Sequence, residues 1–311
     1  LTSLYKKILP AVSLSLNTFH NTKKSKKYWE IIIGPTLVQL LSVLWDRWHI
    51  ISKTLQKHKT YQIPIVNYSP EDFITQDFND LFTKVSTHYW NNCIFSELIK
   101  NFKITILKIP KKKSYSKKRV FNYWSKGKIL KEFKSLKSGK CKFVFFDENL
   151  NDYNLLKFCL SEKSFFVKHK IFSKKLRLHQ KINHRNISIN FDARNSFEKN
   201  VVKKIINFFP LSHLEGMKQI KSITKKINLD CKYIFTAYGH VNNDFFKIWL
   251  AEQIEHKKAK LIIAHHGGTL EKEVNFNSWE NISDNLIGWE KKKKTSKKYI
   301  QLNPTFLDRK R

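Results

Sequence analysis

At 311 residues, 41% of them hydrophobic and 14% aromatic, the chain can fill the core of two ordinary domains or one large one, which excludes a disordered protein. The formal net charge of +34 points first to nucleic acid or an anionic membrane, yet it is built from 52 Lys against only 7 Arg. Specific readers of nucleic acid favour the forked Arg side chain, and the abundant Lys, Asn, Ile and Phe are what AT-rich codons encode, so the charge is discounted as a functional signal.

In chain order, Leu4–Phe19 reads as a helix kinked at Pro10. A second helix is expected over Pro35–Gln56, with Pro35 in its first turn and Leu37, Leu40, Leu41, Leu44, Trp48 and Ile51 at helical spacing. The amide end opened by Gly34-Pro35 would face a cleft or simply start the helix, and the plain helix start is preferred. The apolar stretch Ile31–Trp45 is too short to span a bilayer and reads as a buried helix. Asn67–Asp72 signals another helix start, with helical segments running to about Phe102, and Lys108–Lys118 is a Lys/Ser-rich loop. Lys142–Phe146 is a strand, Tyr153–Leu160 a short helix and Ser164–Val167 a possible second strand. Ser196–Phe208 is helical and ends at Pro210.

The segment from Cys231 to Trp289 carries the most information. Lys232–Thr236 is an apolar run of β-formers, Asn243–His256 has helical periodicity, and Lys260–Ala264 is a continuous apolar run suited to a strand covered on both faces. Together they make one right-handed βαβ unit. A third strand follows Asp284, Lys291–Lys298 is a charged loop, and Tyr299–Leu302 is a possible last strand, so roughly three strands are expected in this half. Open α/β sheets bind ligands beyond the carboxyl ends of their strands. Tyr238-Gly239-His240 and His265-His266-Gly267-Gly268 fall at those ends, where a phosphate-bearing substrate belongs.

Two glycines after a buried strand let backbone N–H groups approach an anion, and a neighbouring imidazole can hydrogen-bond a phosphate or leaving oxygen. The plain alternative for His266-Gly267-Gly268 is a tight turn that needs positive φ. His240 is assigned to binding, Asn242 or Asn243 to capping the helix, and His265 to packing behind the site. Glu280, Ser283 and Asp284 precede the third strand, where acidic oxygens either hold sugar hydroxyls or cap the surface. His20 suits a general base for an acceptor hydroxyl, although a lone His near a helix end is commonly just exposed. Glu252 and Lys247 read as solvated, Trp249 as core, and Asp46-Arg47 as a local ion pair. No DxD motif and no metal-ligand spacing is present. No metal or cofactor is therefore expected. Four scattered cysteines without a CxxC pair suggest a reducing cytoplasm.

Three segments together resemble a family of transferases of bacterial O-antigen and surface-polysaccharide biosynthesis. They are Leu16-Asn17…His20 with Tyr28-Trp29-Glu30-Ile31-Ile32-Ile33-Gly34-Pro35 and Asp46-Arg47; Ile234-Phe235-Thr236 with Asp244…Phe246-Lys247-Ile248-Trp249…Glu252; and His266-Gly267-Gly268 with Glu280-Asn281-Ile282-Ser283-Asp284 and Trp289. That family usually has Gln where this chain has His265, and Trp-Gly-Trp where this chain has Ile287-Gly288-Trp289. The resemblance implies a GT-B-like α/β protein: a helix-rich N-terminal domain over 1–212 on the acceptor side, and a Rossmann-like domain over 213–311 on the donor side, each truncated at its outer end. It implies a cytoplasmic glycosyltransferase that moves a sugar from a nucleotide-activated donor to a glycan or lipid-linked acceptor. Its basic surface would sit at the inner face of an anionic membrane, with no specific nucleic acid as partner. His266 and His20 would be catalytic, and His240, Gly267, Gly268, Glu280, Ser283 and Asp284 would bind the donor. The alternatives are a polyol-phosphate transferase of teichoic-acid type and a basic nucleic-acid-binding protein.

Overall fold

The computed structural model describes residues 1–58, 62–110, 139–146, 178, 185–227, 229–265, 274–288 and 298–301. The expected helix at Tyr153–Leu160, the strand at Ser164–Val167, most of the Lys108–Lys118 and Lys291–Lys298 loops, and His266, Gly267, Gly268 and Trp289 lie outside them. The chain divides into two compact units, the first formed by Leu1–Thr22, Thr36–Phe121 and Leu178–Met217, the second by Lys23–Pro35, Asn122–Arg177 and Lys218–Arg311.

The first unit holds helix α1 (Thr2–His20) and all but the opening turns of helix α2 (Lys26–Lys57). In α1 the buried Tyr5, Ile8, Leu9, Val12 and Leu16 recur every three or four residues, which is the apolar stripe a core-facing helix needs. A small parallel sheet pairs strands β1 (Gln62–Val66) and β2 (Thr105–Ile109), joined through helices α3 (Pro70–Phe73), α4 (Phe78–Lys84) and α5 (His88–Ile99). Ser69, Asp77 and Thr87 cap these three helices, Ser69 in a reciprocal box with Asp72. Helix α6 (Ser196–Asn200) tightens into a 3₁₀ turn over Val202–Phe208, so the single helix expected at Ser196–Phe208 is two pieces. Trp45 and Trp48 of α2 both meet Phe197 of α6.

Helix α2 begins nine residues before the expected start. Pro35 therefore lies inside it rather than in its first turn, and Gly34-Pro35 offers no helix amide end. An interior Pro costs roughly 3 kcal/mol, and an interior Gly adds about 1. Trp29, Ile31, Ile32 and Ile33 are fully buried around it. At about 1.5–3 kcal/mol per buried apolar side chain, their burial outweighs both penalties. The boundary between the two units falls between Pro35 and Thr36. This helix is long and apolar enough to cross a membrane, but 83% of its most apolar window is buried within the protein.

The second unit is built on a five-stranded, wholly parallel sheet in the order β3-β4-β5-β6-β7, formed by β3 (Gly139–Phe146), β4 (Leu229–Thr236), β5 (Lys260–Ala264), β6 (Asn285–Gly288) and β7 (Tyr299–Gln301). The count is five rather than three because the KFVFF strand pairs here, with Val144 opposite Ile234 and Phe145 opposite Phe235, and because the possible last strand at Tyr299 pairs with β6. Helix α7 (Met217–Thr224) leads to β4, and the short α8 (Gly239–Asn242) and α9 (Asp244–Lys257) connect β4 to β5. Helix α10 (Val274–Ile282) connects β5 to β6. Strand order follows chain order, so right-handed crossovers place α9 and α10 on one face of the sheet. Phe246 of α9 stacks on Phe146 at 4.4 Å on that face. All five strands end on one edge, at Phe146, Thr236, Ala264, Gly288 and Gln301. The architecture is α/β with parallel sheets, consistent with a GT-B-like fold.

Candidate functional site

The carboxyl edge of the sheet places two of the expected residues side by side. After β4 the chain turns at Tyr238, where the Gly239 N–H donates to Thr236 Oγ1 at 3.0 Å. A Cβ on Gly239 would sit 2.3 Å from the Phe146 ring, so only glycine lets this turn approach the end of β3. His240 is wholly buried, with its ring edge-on to Trp279 at 4.8 Å. His265, at the end of β5, is 3% exposed and reaches the same Trp279 and Tyr299 through ring contacts at 6.3 and 6.0 Å. The His265 N–H donates to the Ile287 carbonyl at 2.8 Å, tying the β5 end to β6. His240, His265 and Trp279 thus form a packed polar-aromatic layer at the carboxyl edge, and His266-Gly267-Gly268 follow His265 directly in the chain.

Glu280, Ser283 and Asp284 lie elsewhere. Helix α10 carries the chain back from the carboxyl edge to the amino edge, and these residues sit at its far end. Asp284 accepts the Leu261 N–H through Oδ2 at 2.8 Å and donates its own N–H to the Leu261 carbonyl, near the start of β5. Lys298 Nζ donates to the Glu280 and Ser283 carbonyls and so caps the end of α10. The structure places Asp284 away from His240, at the start of β5. Among the described residues, no three His, Cys, Asp or Glu side chains converge on a metal-sized site. His20 belongs to the first unit, where Nε2 lies 2.9 Å from the His213 carbonyl.

The helix between β4 and β5 holds what sequence reasoning missed. Asn243 caps it by accepting the Phe246 N–H at 2.8 Å, and Trp249 is core, both as expected. Lys247 is not solvated. It is fully buried, pairs with Asp244 at 2.6 Å and donates to the Val241 carbonyl at 3.2 Å, pinning α8 and with it His240. The i, i+3 spacing of Asp244 and Lys247 was the available signal.

Glu252 is only partly solvated, with 26% of its side chain exposed. It accepts from Tyr28 Oη at 2.7 Å and pairs with Lys24 at 3.1 Å, Lys221 at 3.2 Å and His256 at 3.1 Å, joining α7 and the opening turns of α2 to α9. Glu30, buried one residue past the Tyr28-Trp29 pair, accepts from Asn281 of α10 at 3.2 Å. Burial alone would raise the Glu252 carboxyl, but the Tyr28 hydrogen bond and the charges of Lys221 and Lys24 outweigh it and hold it below its ordinary value. Burial, reinforced by Glu252, pushes the Tyr28 phenol far up, so it remains a donor.

A family described as LIC12162 family transferase matches residues 1–310. The chain belongs to the LIC12162 transferase family. No curated protein and no solved structure matches it. In this LIC12162 family transferase, the matched span includes both the Tyr28–Glu252 hub and the carboxyl-edge layer.

The hub makes a testable prediction. Because the folded-state pKa of Glu252 is depressed, its stabilisation is present above the ordinary carboxylate value of 4.5 and is lost as pH falls through the lower folded value. Tyr28→Phe is expected to destabilise the second unit by about 1–2 kcal/mol near neutrality and to move its acid unfolding to higher pH. Hydrogen exchange of the α9 peptides across an acid titration measures both. An unchanged acid midpoint would remove Glu252 from this role.

Proposed function

We propose that this transferase is a glycosyltransferase that moves a sugar from a nucleotide-activated donor onto a surface-polysaccharide acceptor of O-antigen type. The observation that supports this reading is the carboxyl edge of the five-stranded parallel sheet. There β4 turns through Tyr238-Gly239-His240, and β5 leads through His265 into His266-Gly267-Gly268. That edge is where α/β sheets hold phosphorylated ligands.

On this reading His266 and the amides of Gly267 and Gly268 receive the charge that develops on the leaving phosphate. His240, expected from the sequence to contact the donor, is wholly buried against Trp279 and on this reading supports the turn after β4. Fixed donors aimed at developing charge supply most of the rate in such transfers. The donor then belongs to the second unit and the acceptor to the first. His20, whose Nε2 lies 2.9 Å from the His213 carbonyl, is the proposed base. Asp284, Ser283 and Glu280 act on the sheet's opposite edge as structural supports. The proposed setting is the cytoplasm at the inner face of an anionic membrane, beside a lipid-linked acceptor, and a Lys-rich surface is compatible with it.

The experiment is nucleotide-sugar turnover with product analysis. His266→Ala is expected to lower kcat by roughly 10²–10³-fold, the usual effect of removing one donor to a developing anion. Unchanged turnover in His266→Ala, or transfer of a polyol phosphate in place of a sugar, would overturn the proposal.

A further inference from the structure

The first unit contains a cavity of about 380 Å³ between the α3–α5 region and the segment Arg185–Phe208. Its walls combine two chemistries. Tyr68, Phe73 and Phe208 supply aromatic surface, with the Phe73 and Phe208 rings 5.7 Å apart. Asn101 and Asn207 supply amides whose orientations are fixed from behind. Asn207 Oδ1 accepts the Ile187 N–H at 3.0 Å, which leaves its Nδ2 as a donor for a ligand. Asn101 Nδ2 donates to the Leu98 carbonyl at 2.9 Å, which leaves its Oδ1 as an acceptor.

The charges narrow the ligand class. Glu97 and Lys100 pair with each other at 2.5 Å. Arg185 is engaged through a bidentate bond to Glu215 and by the Asn207 and Phe209 carbonyls. Lys204 is then the one lining cation without an ion-pair partner among the described residues. A nucleotide diphosphate, with several negative charges, finds too little positive charge here. A purely apolar ligand would strand the amides. A pyranose ring fits both walls, because its C–H faces lie on aromatic rings while its hydroxyls both donate and accept. The volume lies at the small end of ligand cavities and suits one or two sugar rings.

We propose that this cavity is a glycan-binding site of the first unit, seating one sugar of the acceptor, neutral or carrying a single acid group. The acceptor role rests on the glycosyltransferase reading; sugar binding itself does not. The test uses the whole protein and the methyl glycosides of glucose, galactose, N-acetylglucosamine and glucuronic acid, with binding read by saturation-transfer NMR. UDP is titrated into the same samples to report on the second unit.

At least one glycoside is expected to bind saturably. Asn101→Ala should weaken it by about fivefold, the worth of one hydrogen bond, and Asn200→Trp, which fills the cavity from its wall, should abolish it. Neither variant should alter UDP binding. Near-UV circular dichroism checks that both fold, and the exposed Asn101 keeps the test open if the Trp variant does not. Absence of binding by every glycoside, or binding unchanged in both variants, overturns the cavity proposal even where UDP binds. Glycoside binding that behaves as expected without any UDP binding upholds the cavity and counts against a UDP-linked donor in the second unit.

Discussion

Lys247→Met is expected to destabilise the second unit by about 3–5 kcal/mol, because it leaves the Asp244 carboxylate buried without its counter-charge. Lys247 is completely buried and Asp244 is 3% exposed on its side chain, so water cannot take the ammonium's place. Removing both charges together, with Asp244→Asn and Lys247→Met, should recover most of the loss, since two neutral groups of similar size need no such partner. The distinction separates an ion pair from simple packing. If the double variant is as unstable as the single one, side-chain packing rather than charge explains the position. Urea denaturation followed by hydrogen exchange in the α9 peptides makes the measurement. The α8 turn should open with it, because Lys247 Nζ also holds the Val241 carbonyl. Transferase activity is therefore expected to fall even though Lys247 touches no reacting atom.

The matching prediction in the first unit concerns Arg185. Its guanidinium meets both carboxylate oxygens of Glu215, at 2.8 and 2.5 Å, and also donates to the carbonyls of Asn207 and Phe209. The two side chains are 4% and 6% exposed. Arg185→Met removes all four bonds and strands a buried carboxylate, so a loss of about 3–5 kcal/mol is expected in the first unit. Arg185→Lys should lie between the variant and the original, since a lysine keeps the charge but cannot make the forked contact. Protection of peptides across Arg185–Glu215 reports the effect locally. Equal stability for Lys and Arg at this position would show that charge alone matters and the planar fork does not.

The β4-α9-β5 unit was legible because each piece obeys a local rule. Lys260–Ala264 is a continuous apolar run, Asn243 sits where a cap belongs, and Phe246, Trp249 and Leu250 recur at helical spacing. The strand β1 was not legible: it is five residues long and contains Pro64, which ordinarily demotes a strand and is tolerated in this two-stranded sheet. The start of α2 was hidden by Gly34-Pro35, two residues that punctuate most helices and here are overridden by the burial around them. The pairing of β3 with β4 is a tertiary event with no local signature. The carboxyl-edge histidines could be placed from the βαβ pattern. The far position of Asp284 required knowing that α10 returns the chain to the opposite edge. Lys247 and Glu252 were hidden by the ordinary expectation that charged helix residues face water. Tyr28 and Glu252 stand 224 positions apart, so only folding reveals their contact.

The long connection between β3 and β4 also has a consequence in time. Cys141 pairs with Cys231, so this strand leaves the ribosome about 90 residues ahead of its partner. At about 5–20 residues per second, that interval is roughly 5–18 s. Throughout it, the Phe143-Val144-Phe145-Phe146 run is an unpaired, strongly β-forming segment of the kind that seeds aggregation. Lys140 and Lys142 directly precede it, where charged gatekeepers slow such self-pairing. Within the same interval the ribosome delivers Leu178–Met217, the last piece of the first unit. The first unit can therefore close while the second is still waiting for the centre of its sheet.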